Sequence, residues 1–145
     1  MKYELDIIIN KPVDEVVALF DNPDNLKEWQ PELVSFEHVS GEEGQPGAKS
    51  KLVYLMGKRK CEMIETIETR NLPQEFTGTY ETNGVFNRVE NHFKAVGSDQ
   101  THWSSFNEFQ FTSFGMKLMG FFMKKAFPKQ TKCYMQQFKD FAEKD

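Results

Sequence analysis

At 145 residues the chain has the usual size of one domain, 39% of it hydrophobic and 28% charged, a balance that excludes a disordered segment. A formal charge of -4 lacks the basic footprint of a nucleic-acid binder, and two cysteines, Cys61 and Cys133, are too few for a disulfide scaffold. Fourteen Phe and seven Met against two Trp and four Tyr supply an interior with little hydrogen-bonding demand, suited to a dry and deformable cavity.

Acidic residues near Met1 stand where a signal peptide would be apolar, and no apolar run approaches the length of a spanning helix. These features lead us to expect a cytoplasmic protein with reduced thiols and no stable membrane insertion. From Lys2 to Ile9, Tyr3, Leu5, Ile7 and Ile9 alternate with polar residues, the period of a half-buried strand. Asn10-Lys11-Pro12 ends it, with Asn10 able to cap a helix that carries Val13, Val16, Val17 and Phe20 at helical spacing. A second short helix holds Leu26 and Trp29 and stops at Pro31.

Six strands are predicted next, beginning with residues 33–40 and a glycine-rich turn from Gly41 to Gly47. Residues 48–56 and 59–70 pair across Gly57-Lys58; 75–82 and 85–96 pair across Asn83-Gly84; 101–112 follows. From Phe114 the period becomes 3.6, and Met119, Met123, Ala126, Phe127, Cys133, Tyr134, Phe138 and Phe141 share a broad face. Pro128 predicts a kink or break there, because it removes a helical donor and meets the carbonyl of Lys124. A seven-stranded antiparallel sheet whose one face needs cover, and a single long amphipathic helix to cover it, give an α+β domain spanning residues 1–145.

The stretch Ile9-Asn10-Lys11-Pro12-Val13-Asp14-Glu15-Val16-Val17-Ala18-Leu19-Phe20-Asp21, with Leu26-Lys27-Glu28-Trp29-Gln30-Pro31 after it, resembles the opening of the START-like superfamily. Its polyketide cyclase/dehydrase branch, also called SRPBCC and related to the birch pollen allergen, shows a strand, a proline-led helix, a short helix and a Trp-x-Pro. The turn ending at Gly47, the Leu72-Pro73 break and the final helix occur in the family's order, and Pro128 is a departure. The resemblance implies a helix-grip fold, a curved sheet wrapped around the C-terminal helix with a cavity between them.

Alternation outward from Trp103 turns Trp103, Ser105, Asn107 and Phe109 to the concave face, and Asn87, Val89, Asn91 and Phe93 likewise. The candidate cavity lining is therefore Phe36, Asn87, Asn91, Trp103, Ser105, Asn107, Phe109, Met119, Met123, Phe127, Gln130, Tyr134 and Gln137. Gln130, Gln137, Asn91 and Asn107 either serve a ligand as polar handles or bond to one another and to water. Gly115 and Gly120 flank a flexible entry to the helix, where Phe121 or Phe122 either gates the cavity or Phe121 packs under the long loop or against a second protomer.

The three histidines fall on separate strands, His92 and His102 pointing outward and His38 able to face inward. No histidine pair or cysteine neighbour has metal-ligand spacing, so neither a metal nor a cofactor is expected. Glu90 and Glu108 are read as solvated, and Glu65, the remaining acid candidate, as a surface residue too. The expected partner is a small hydrophobic molecule and the expected state a monomer or weak homodimer. A cyclase- or isomerase-type enzyme and a protein-interaction module of the same fold are the alternatives.

Overall fold

A computed structural model of the chain describes residues 1–144. Strand β1 (Lys2–Ile9) leads to helix α1 (Val13–Phe20), then a 3-10 turn (Pro23–Asn25) and the single turn of α2 (Leu26–Trp29). Strands β2 (Leu33–Ser40), β3 (Lys49–Met56), β4 (Arg59–Asn71), β5 (Glu75–Thr82), β6 (Val85–Val96) and β7 (Gln100–Phe111) follow, and helices α3 (Phe114–Phe122) and α4 (Ala126–Ala142) close the described chain. The strands form one antiparallel sheet in the order β1-β7-β6-β5-β4-β3-β2, a meander whose first strand returns to pair with the last.

The register is set by short turns that fit their residues. Thr82 faces Val85 across Asn83-Gly84, and Gly84 adopts φ +75°, a conformation that costs glycine little. Asn10 does not cap α1; Pro12 occupies the cap position, and Asn10 instead donates from its backbone N to Glu143 Oε2 at 3.0 Å, tying β1 to the end of α4. Asn22 does act as a cap, accepting at 3.0 Å from the backbone N of Asp24.

The C-terminal element is two helices rather than one. The chain leaves helical hydrogen bonding at Met123–Lys125, three residues ahead of the position predicted from Pro128. Pro128 then falls in the first turn of α4, where its missing N–H is one that no helical carbonyl would have bonded. Met135, Phe138 and Ala142 become the buried stripe, whereas Cys133 and Ala126, expected on the apolar face, are exposed.

Phe138 has no exposed surface and lies at the centre of an aromatic layer. Its ring meets Trp103 at 5.2 Å and Trp29 at 5.3 Å, both edge-on, with Phe20 at 6.0 Å. Phe93 stacks on Trp103 at 5.6 Å, and Ile9, Val16 and Met135 complete the cluster. Strand β1, helices α1 and α2, and the sheet centre thus converge on one side chain of α4. Replacing Phe138 by Ala is expected to lower the unfolding free energy by about 3–5 kcal/mol; urea titration of both proteins checks this, and a loss under about 1 kcal/mol would show that the layer does not hold the helix.

Candidate ligand site on the concave face

Cross-strand pairing settles which side chains look toward the helices. Tyr80 stands opposite Asn87, Asn87 opposite Phe109, and Tyr3 opposite Asn107, so alternate residues of these four strands share the concave face. At the β1–β7 side this face is clamped to α4. The Tyr3 hydroxyl pairs with Thr131 Oγ1 at 2.7 Å and lies 3.2 Å from the Phe127 carbonyl, while Phe109 and Phe127 stack at 4.6 Å. Helix α4 makes its main contacts with β1 and α2. Over the middle strands, Phe36, Met63, Glu65, Tyr80, Asn87 and Val89 point toward the helices yet are only half-buried, so the helices leave this part of the concave face partly accessible.

Two of the four amides proposed as polar handles, Asn91 and Asn107, are occupied. Trp103 Nε1 donates to Asn91 Oδ1 at 3.0 Å, Asn107 Nδ2 donates to Ser105 Oγ at 3.0 Å, and all four residues are buried. Asn87 Nδ2 donates to the Glu108 carbonyl at 3.1 Å. Gln137 is half-buried and contributes to a surface groove between α2 and the end of α4 with Glu28, Pro31, Asp140, Phe141 and Lys144, while its Oε1 is buried without a partner. Met119 is half-buried, Met123 is exposed, and Phe121 and Phe122 both point into solvent.

A different polar group occupies the concave space. Glu65 stands directly opposite Tyr80 and, on its other side, Ser50. Burial raises the Glu65 carboxyl above the ordinary range, and the hydrogen bond from Tyr80 only partly opposes this. Glu65 is therefore not the surface residue expected from its sequence context. The register shift between Ile67 and Thr69 is the reason: counting back from Asn71 opposite Glu75 without an extra residue would put Glu65 opposite Glu81 on the outer face. The bulge shifts the pairing by one and brings the carboxyl inward.

Tyr80 and Tyr54 adjoin this acid, and a third phenol, Tyr134, adjoins Tyr54. Burial raises the Tyr80 phenol well above its usual range, with the Glu65 charge adding to it, and Tyr54 is raised first by burial and then by Tyr134, Glu65, Cys61 and Glu32. Each remains a hydrogen-bond donor at neutral pH. Tyr54 donates to Gln30 Oε1 at 2.8 Å, so one phenol is already engaged. The Tyr134 hydroxyl and Glu32 Oε2 are buried without a hydrogen bond of good geometry, although Gln130 and Glu32 are close enough to influence the phenol. Unpaired buried groups of this kind each cost about 1–3 kcal/mol, a cost that a ligand oxygen would relieve. The sequence did carry a signal for Tyr80, two residues inward of the Asn83-Gly84 turn and in phase with Asn87.

The outer face is charged and internally satisfied. Arg88 Nε and Nη2 bond to the two carboxylate oxygens of Glu68 at 2.9 and 3.0 Å, and Nη1 reaches Glu90 at 3.1 Å. His92 faces outward as expected, with Nε2 2.7 Å from Glu90 and Nδ1 3.1 Å from the Gln74 carbonyl; His102 Nε2 meets Asp6 at 2.8 Å. Glu75, Glu90 and His92 present ligand atoms within 4.8 Å of one another, but the Arg88 guanidinium beside Glu90 opposes a cation there. A shallow groove of about 380 Å³ beside Arg88 and Phe106 belongs to this solvated face. His38 shares the concave register opposite Ser50, yet its ring is exposed at the edge strand and bonded at 2.8 Å to the Gly41 carbonyl, which removes it as a cavity base.

Residues 1–143 match the family described as polyketide cyclase/dehydrase and lipid transport. The chain belongs to that family. Among solved structures, the Zhui aromatase/cyclase from a Streptomyces species is 10% identical with a TM-score of 0.79, covering 99% of this chain and 93% of that one. The Ara h 8.0201 structure is 11% identical with a TM-score of 0.74, covering 98% and 97%. Norcoclaurine synthase from Thalictrum flavum, in complex with dopamine and hydroxybenzaldehyde, is 13% identical with a TM-score of 0.70, covering 100% and 88%. These likenesses establish the helix-grip fold, and no curated protein matches the sequence.

Because the folded state raises the Glu65 pKa above 4.5, it binds that proton more tightly than the unfolded chain does. The stability contributed by Glu65 is then full below about pH 4.5 and is lost as pH rises through the raised value. A Glu65→Gln variant should be close to the parent at low pH and gain on it steadily as pH rises from 4.5, as followed by urea unfolding across pH. Parallel pH profiles for the two proteins would place the carboxyl in solvent.

Proposed function

We propose that the protein binds a small amphipathic molecule in the concave space, with the apolar body against Phe36, Leu52, Met63 and Val89 and an oxygen-bearing end against Tyr54, Glu65, Tyr80 and Tyr134. The observation that carries this reading is the Glu65 carboxyl turned inward opposite Tyr80 across two central strands, a polar spot in an otherwise apolar grip. With Tyr54 donating to Gln30 and Tyr80 to Glu65, the unpaired Tyr134 hydroxyl is the free donor, and it favours a carbonyl, hydroxyl or ether oxygen over a cationic group. The family's description, which joins cyclisation, dehydration and lipid transport, agrees with an apolar ligand of this kind.

A second reading has specific support. A carboxyl whose pKa is raised by burial is suited to give a proton to a ligand carbonyl and take one back, and a hydrogen bond to Tyr80 orients it. Two of the structural neighbours are named as an aromatase/cyclase and a synthase, and the same grip in this chain would then perform proton transfer on a bound carbonyl compound.

Native mass spectrometry of the freshly purified protein, followed by extraction of bound material, is expected to show a molecule of small size; a bare protein mass with no uptake from lipids, flavonoids and fatty acids would count against the pocket. For whichever of these binds, Tyr134→Phe should weaken affinity about tenfold, the loss of roughly one buried hydrogen bond. Glu65→Gln retains a donor and should still bind. Conversion of the bound compound by the parent but not by Glu65→Gln would assign proton transfer to the site; unchanged compound with both would leave it a carrier.

A further inference from the structure

Between Glu108 and Asp140 the chain has six lysines, at 117, 124, 125, 129, 132 and 139, and all 22 acidic side chains lie outside that stretch. Within it is α3, whose orientation is fixed by close packing on one side. A Cβ on Gly120 would approach the Phe111 ring to 2.6 Å, and a Cβ on Gly84 would approach Met116 Cγ to 2.6 Å, so these two glycines let α3 press against the end of β7 and the β5–β6 turn. Met116 and Met119 share the covered side and are half-buried.

That seating forces the other side of α3 outward. Phe114, Leu118, Phe121 and Phe122 recur at spacings of four, three and one, which places them along one flank of the helix. Phe114 is 82% exposed, Phe121 72% and Phe122 76%, and the last two rings meet only edge-on with each other at 5.7 Å. Three Phe rings this exposed on a short helix are a heavy cost in water. Lys117, Lys124, Lys125, Lys129 and Lys132 are exposed around or just beyond them.

We propose that α3 docks the protein onto an anionic lipid surface, with Phe114, Leu118, Phe121 and Phe122 entering the boundary between headgroups and acyl chains and the lysines resting among the phosphates. An apolar helix flank rimmed by lysines is what such an interface takes. The charge chemistry chooses between occupants. A second copy meeting this patch about a twofold axis would set the same lysines against one another, whereas an anionic leaflet attracts each of them. The mode is peripheral, since no described helix is long and apolar enough to cross a bilayer. It also points the end of the grip opposite the Phe138 layer toward the lipid, because α3 covers Phe111 and Gly84 at that end of β6 and β7.

The test is co-sedimentation of the full chain with vesicles of phosphatidylcholine alone and of phosphatidylcholine mixed with phosphatidylglycerol. Binding is expected to the mixed vesicles and to weaken as salt is raised. A Phe121→Ser/Phe122→Ser variant should bind at least about tenfold more weakly, because the apolar anchor is gone. The two rings are solvent-exposed, so its thermal melt should match the parent and separate lost docking from lost folding. Lys124→Glu/Lys125→Glu should erase the preference for the anionic mixture. The proposal is overturned if the parent binds neither vesicle, or if the Phe variant binds as well as the parent. It is equally overturned if soluble polyglutamate competes fully for the patch, which would make it a site for acidic protein. Light scattering that shows a dimer dissolved by the Phe substitutions would assign the patch to a second copy instead.

Discussion

Everything in this structure depends on how one helix is held against a curved sheet. Phe138 inserts among Trp29, Trp103, Phe20 and Phe93, and because those rings come from α2, β7, α1 and β6, one side chain joins elements far apart in the chain. A second clamp, Tyr3 with Thr131 and Phe109 with Phe127, holds the start of α4 at the β1–β7 side. Held at one end and along one side, α4 cannot also lie down on the middle strands. The concave space is a geometric consequence of where the aromatic residues are placed.

The chemistry of that space follows from a single extra residue. A bulge in β4 rotates Glu65 from the side of Glu81 to the side of Tyr80. Once inside, the carboxyl loses hydration and holds its proton more tightly than it would in solvent, beside phenols whose protons burial also holds. The sheet amides near Trp103 have the opposite fate. Asn91 and Asn107 are consumed by Trp103 and Ser105, so the polar groups closest to the aromatic layer stiffen the core instead of meeting a ligand.

The two faces of α3 illustrate a different balance. Gly120 gives up helix propensity so that the Phe111 ring can lie flush against the backbone, and the same seating turns three phenylalanines away from the protein. Phe121 and Phe122 are neither under the long loop nor against the core, and the lysine-rich, acid-free stretch around them gives their exposure an electrostatic context.

Period, turn chemistry and element order, all local properties, determined most of the fold from the sequence alone. The alternation in β1, β6 and β7, the Asn83-Gly84 turn and the proline-led first helix placed the strands within a residue or two and turned Trp103, Ser105, Asn107 and Asn91 inward. Only the tertiary structure decided the rest. A bulge leaves no reliable local mark, so the inward turn of Glu65 depended on pairing with β5; which flank of α4 meets the core was decided by the aromatic layer around Phe138, so Cys133 lies out and Met135 in. Gln137 kept its predicted helix but faced a surface groove, since which side of α4 meets the sheet is fixed by Phe138 and Tyr3 from elsewhere in the chain. Parity propagates along a segment, and one inserted residue resets it for everything beyond.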